Sequence, residues 1–123
     1  MAKKLKLTLV AFSLITLSAC SLTYPAVGTI TKTGETFSGT AKSSMSKGEL
    51  YMTTNTGATC EGVYIPPKVS TVYDIVSMSG NVVCSDGRIG SWNATGSLND
   101  GFKGVGKIDG ETFNFYAGDA IPG

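Results

Sequence analysis

The sequence predicts an all-β domain of antiparallel hairpins, forming a small barrel or a rolled sheet and carrying one disulfide. Three observations lead there. No segment beyond residue 20 sustains the 3.6-residue apolar period of an amphipathic helix. Short runs of β-branched and aromatic residues are bounded instead by Gly, Asn and Asp, as strands are. Four segments also repeat the form strand, Gly-containing turn, strand.

The hairpins follow in order. Residues 28–41 turn at Gly34, 48–64 at Gly57, 80–94 at Gly87, and 104–117 at Gly110. Gly34-Glu35-Thr36-Phe37 recurs as Gly110-Glu111-Thr112-Phe113. Asp86-Gly87 and Asp109-Gly110 are hairpin-turn dipeptides, because Gly permits the positive φ that such turns need. Alignment on the turn glycines exposes a core face of period two. The third residue after each turn Gly is Phe37, Cys60, Gly90 and Phe113. The fifth is Gly39, Gly62, Trp92 and Phe115, and the seventh is Ala41, Tyr64, Ala94 and Ala117. Large residues in one repeat thus face glycines in another. The residues between are mostly Thr, Ser, Asn and Glu, suited to water. Residues 65–79 depart from the pattern: Pro66-Pro67 breaks the chain, and Thr71 to Met78 reads as an extra strand. This insertion serves either as a functional loop or as a structural edge. Closure into a barrel removes exposed edges and is favoured over an open sheet.

The N-terminus has a different character. Lys3, Lys4 and Lys6 precede an uncharged, mostly apolar run from Leu7 to Leu17, too short to span a bilayer. The run ends in Leu17-Ser18-Ala19-Cys20, which resembles the lipobox of bacterial lipoproteins. The resemblance implies a signal peptide over 1–19, diacylglyceryl transfer to Cys20, cleavage before it and acylation of the new amine. Residues 20–27 are then expected as lipid anchor and short tether, 28–118 as the β domain, and 119–123 as a C-terminal tail. In enterobacterial lipoproteins an Asp after the acylated Cys retains the protein at the inner membrane. Ser21 lacks that signal, so the expected location is the outer membrane, on its periplasmic face.

Export organises the cysteines and the charge. Three Cys is an odd number for a secreted chain. With Cys20 consumed by lipid, Cys60 and Cys84 remain as a pair in an oxidising compartment, where a disulfide is expected. Two separate buried thiols are the alternative. A metal site is disfavoured, since the chain has no His and this pair lacks C-x-x-C spacing. No cofactor is expected. Loss of the three leader lysines from 10 basic and 9 acidic residues leaves a net charge of −2. That argues against nucleic acid as a partner and offers no polybasic patch for lipid headgroups.

The turn-glycine spacing of 23, 30 and 23 residues resembles MORN repeats, without their Tyr-x-Gly-x-Trp signature. The chain is also similar to small proteobacterial lipoproteins of unassigned function. The matching motifs are Gly34-Glu35-Thr36-Phe37-Ser38-Gly39, Cys60-Glu61-Gly62, Cys84-Ser85-Asp86-Gly87-Arg88-Ile89-Gly90, and the hairpin from Gly104 to Phe115. That likeness implies a secreted β domain with one disulfide and supplies no activity.

Catalytic constellations are weak. Without His, the Ser-His-Asp and Cys-His arrangements are unavailable. Ser44-x-x-Lys47 matches a nucleophile motif that needs a helix, in a segment that reads as a loop. The run Gly101 to Lys107 fits the start of a phosphate-binding loop but continues into Ile108 and an Asp-Gly turn. Asp86, Asp100, Asp109 and Glu111 sit in or beside turns, where carboxylates are usually solvated. The expected function is therefore a non-catalytic lipoprotein that binds another protein or supports an envelope structure. Alternatives are an inhibitor of an exogenous enzyme such as lysozyme, a phage or plasmid exclusion factor, and a small carbohydrate-active enzyme. Tyr64, Tyr73 and Trp92, with Phe102 and Tyr116, are candidates for a protein-binding patch, most of them equally suited to the core.

Overall fold

The computed structural model describes residues 21–122. The expected signal peptide and Cys20 lie outside the described residues. Eight strands follow in order: β1 (Leu22–Ile30), β2 (Thr36–Ser43), β3 (Gly48–Thr54), β4 (Thr59–Tyr64), β5 (Val76–Cys84), β6 (Ile89–Ser97), β7 (Gly101–Ile108) and β8 (Glu111–Ala117). Each pairs antiparallel with the next. The last pairs with the first, from Ala26 opposite Ala117 to Ile30 opposite Phe113, which closes the barrel. The four expected hairpins are β1–β2, β3–β4, β5–β6 and β7–β8.

Alternation builds the core. In β3, Gly48, Leu50, Met52 and Thr54 are buried while Glu49, Tyr51 and Thr53 face water. Every non-glycine residue on the face found by aligning the repeats is buried, from Phe37 and Cys60 to Trp92, Phe113 and Phe115. Five rings run down the interior in four successive contacts. Tyr64 meets Trp92 at 5.6 Å, Trp92 meets Phe115 at 5.2 Å, Phe115 meets Phe113 at 6.3 Å, and Phe113 meets Phe37 at 5.1 Å between centroids, so five aromatic side chains form one chain of contacts.

Glycine makes room for those rings. A Cβ on Gly28 would lie 2.3 Å from the Phe113 ring, and one on Gly80 2.6 Å from the Trp92 ring. The turn Asp109-Gly110 has positive φ at both residues, 49° and 83°, as a tight two-residue hairpin requires. Cys60 and Cys84 are directly opposite on β4 and β5 and form a disulfide.

Three expectations need correction. Thr71 to Met78 is not an extra strand. Val76–Met78 opens β5, and the residues before it form a turn in which the Asp74 carboxylate accepts from the Ser70 amide (2.7 Å) and from Thr71 Oγ1 (3.1 Å). β-branched residues suggested a strand, and a local carboxylate turn took precedence. The stretch expected as a tether up to Val27 is part of β1, which begins at Leu22. The first two residues of the segment expected as a tail, Asp119 and Ala120, complete a 3-10 turn, Gly118–Ala120, seated on Gly101, where a Cβ would fall 2.3 Å from the Ala120 amide nitrogen.

Two outcomes test this packing. A Cβ on Gly104 would meet the Asn93 carbonyl oxygen at 1.8 Å. Gly104→Ala is therefore expected to cost about 1–3 kcal/mol in urea unfolding, as overpacking does. An unchanged midpoint would contradict so close an approach. Replacing Cys60 and Cys84 together by Ser should remove about 3 kcal/mol by the loop-entropy relation. Intact mass of the purified protein under non-reducing conditions should show no free thiol at either position.

Candidate functional site

Because consecutive strands reverse, the barrel has two chemically distinct ends. The turns 31–35, 55–58, 85–88 and 109–110 share one. The chain's entry at Leu22, the turn 44–47, the connection 65–75, the turn 98–100 and the 3-10 turn share the other.

The first end is closed by an ionic cross-brace. Arg88 donates from Nη1 to Glu35 Oε1 at 2.7 Å and from Nη2 to Glu35 Oε2 at 2.9 Å. Its Nε donates to both Asp86 oxygens, at 3.1 and 3.0 Å. Thr56 Oγ1 donates to Glu35 Oε2 at 2.7 Å. The hairpins β1–β2 and β5–β6 lie across the barrel axis from each other, so the Arg88–Glu35 pair spans the mouth. It sits above Phe37, with the guanidinium carbon 5.9 Å from the ring centroid. The Glu35 side chain is only 10% exposed and that of Arg88 20%. The Arg88 hydrogen bonds hold the Glu35 carboxyl below its ordinary range, against the opposing effect of burial, and Thr56 adds to the lowering. The same contacts raise the Arg88 pKa further.

The aromatic candidates separate. Tyr64 and Trp92, expected on a binding surface, are interior residues, 7% and 2% exposed. Tyr64 OH shares a 2.7 Å hydrogen bond with Ser43 Oγ, and burial raises its pKa. The Trp92 indole N–H has no protein acceptor among the described residues. Phe102 is also buried, and Tyr116 is half-buried. Of Tyr64, Tyr73 and Trp92, Tyr73 alone faces water, 70% exposed in the 65–75 connection. The interior space beside Tyr64 and Trp92 is about 30 Å³, the share of one water in the liquid. The interior beside these two rings is packed by side chains.

The catalytic candidates are placed as follows. Ser44 Oγ donates to the Lys47 carbonyl oxygen at 3.1 Å, and Lys47 Nζ lies 3.8 Å from Glu49. The serine is thus bound to backbone and the ammonium to a carboxylate. Gly101 to Lys107 runs along β7, an extended strand rather than a phosphate-cradling loop. Asp86, Asp109 and Glu111 sit at the braced end and Asp100 at the other. Asp86 is held by Arg88, Asp109 Oδ1 accepts from the Ile89 amide at 3.1 Å, and Glu111 lies 3.7 Å from Lys32.

What faces outward is apolar in two places. On the wall, the register sets Tyr51 opposite Glu61, Glu61 opposite Val83, and Val83 opposite Ile89, one continuous row across β3 to β6. Tyr51, Val83 and Ile89 are all exposed. At the unbraced end, Leu22, Met45 and Val69 line a groove of about 460 Å³, bringing the first strand, the 44–47 turn and the 65–75 connection together. Sequence reasoning did not find the wall row. The alternation that marks Cys60, Cys84 and Gly90 as inward also marks their neighbours as outward, so Val83 and Ile89 were available from the same pattern.

The brace has a pH signature. A carboxylate with a depressed folded pKa contributes stability that is present above its unfolded pKa, about 4.3 for Glu, and lost as pH falls through the folded value. Glu35→Gln is expected to lower stability at pH 7 by on the order of 2 kcal/mol, as for a hydrogen bond to a charged group. The gap to wild type should shrink below about pH 4. Thermal unfolding across pH measures it, and a gap independent of pH would contradict the assignment.

Comparison with protein-family models, with curated proteins and with solved structures finds no match to this chain.

Proposed function

We propose that this chain is a non-catalytic outer-membrane lipoprotein, held through acyl groups on Cys20, whose barrel binds another protein or supports an envelope structure. The anchor reading is supported by Leu17-Ser18-Ala19-Cys20 and by Ser21. The observation that carries the binding reading is the wall row: Tyr51, Val83 and Ile89 are 47%, 57% and 62% exposed along one register line. Glu61 interrupts the row between Tyr51 and Val83, so its contiguous apolar part is Val83 beside Ile89, with Tyr51 on the far side of the carboxylate. Exposed apolar neighbours of this kind favour an interaction site. A closed barrel has no strand edge to offer, so recognition falls to side chains on its wall. The disulfide stiffens that wall from within, since Cys60 and Cys84 adjoin Glu61 and Val83.

Cys20→Ala should abolish palmitate labelling and release the domain from the outer-membrane fraction. A photo-cross-linking residue at Ile89, in living cells, should capture one envelope protein. Capture of added lysozyme would redirect the reading to enzyme inhibition. Absence of any protein adduct from positions 51, 83 and 89 would remove the binding reading.

A further inference from the structure

We propose that the unbraced end of the barrel rests on the phospholipid bilayer and inserts its apolar loop residues among the headgroups. The domain then stands upright on the membrane with the braced end outermost. This inference rests on the anchor reading above and concerns orientation and contact, which acylation alone does not fix.

The two ends differ sharply in composition. The turns of the braced end are Thr31 to Glu35, Asn55 to Ala58, Ser85 to Arg88, and Asp109-Gly110, without a large apolar side chain among them. The unbraced end carries Met45 at 97% exposure, Ile65 at 81%, and Tyr73 and Ile75 at 70% each. Leu22 is also exposed and lines the groove with Met45 and Val69. So much apolar surface at loop tips is costly in water and suits the bilayer interface. Tyrosine is enriched there because its ring is apolar and its hydroxyl polar.

The occupant follows from where the chain enters. Residues 1–20 precede the described structure and join it at this end, through Ser21 and Leu22. One extended residue spans at most about 3.6 Å. An acylated Cys20 therefore leaves the barrel end no distance to retreat from the headgroups. A protein partner would have to displace that contact.

Charge makes the contact apolar rather than electrostatic. Lys47 and Lys68 lie on this end, but so do Asp74, Asp100 and Asp119. The Asp74 carboxylate is turned into its own loop, and Asp100 accepts from the Asn99 side chain at 3.0 Å. Neither sign dominates, so zwitterionic lipid suffices and salt has little effect.

The test uses the full lipoprotein, purified from membranes and reconstituted into phosphatidylcholine vesicles with brominated acyl chains. Tyr73→Trp reports the unbraced end and Ile89→Trp the wall near the other, each over the natural Trp92 background. Both positions are exposed, so neither substitution disturbs the core. Emission from Tyr73→Trp should be blue-shifted and quenched severalfold more than that from Ile89→Trp, equally at low and high salt. Equal quenching at both positions overturns the proposal, as does quenching that vanishes in salt. Palmitate labelling of the same preparations separates the two readings. Label present with Tyr73→Trp unquenched removes the docking alone, and label absent removes the anchor and the docking together. A photo-cross-linker at position 73 that captures a protein in cells, instead of lipid, also overturns it.

Discussion

Everything in this protein depends on closing eight strands around an interior filled by its own side chains. The closure between β1 and β8 leaves no edge, and it also fixes how much volume the inward residues must share. Six aromatic rings, those five and Phe102, occupy that volume, and each is accommodated because a facing strand presents glycine or alanine. Gly28 yields to Phe113, and Gly80 to Trp92. A Cβ at Gly62 would fall 1.8 Å from the Asn81 carbonyl oxygen, so in places the strands approach until backbone meets backbone. Glycine, often a liability in strands, is here the residue that lets a small barrel close over large rings.

That constraint explains what was legible in the sequence. Inward positions carry a period of two and a large-against-glycine complementarity, both visible from Phe37, Gly62 and Trp92 before any coordinates. The disulfide was legible too, because Cys60 and Cys84 are the pair left over once Cys20 is assigned to the lipobox. The start of β1 was not. Pro25 and Ser21 gave it the look of a linker, yet pairing with β8 begins only at Ala26, so Pro25 has a strand neighbour on one side alone. There a missing N–H is tolerated.

The site was less legible than the fold. Tyr64 and Trp92 were candidates for an interface because aromatic residues serve cores and interfaces alike, and composition cannot separate the two. The Glu35–Arg88 brace was invisible for a different reason: its partners are 53 residues apart and meet only once the ring of hairpins closes. Its twin motif shows how little the local sequence decides. Glu111 occupies the same place in the repeated Gly-Glu-Thr-Phe, yet it is 38% exposed and lies 3.7 Å from Lys32. Position around the barrel distinguishes the two glutamates.

The early start of β1 has a mechanical meaning. The strand is hydrogen-bonded to β2 from Leu22 to Thr29 and to β8 from Ala26 to Ile30. A pull along the chain at Ser21 therefore loads two antiparallel ladders in shear, with many hydrogen bonds sharing the force at once, instead of peeling them one by one. Force applied along the chain at Ser21 would meet the strand that closes the barrel, held on both flanks, so the domain resists extension from this end.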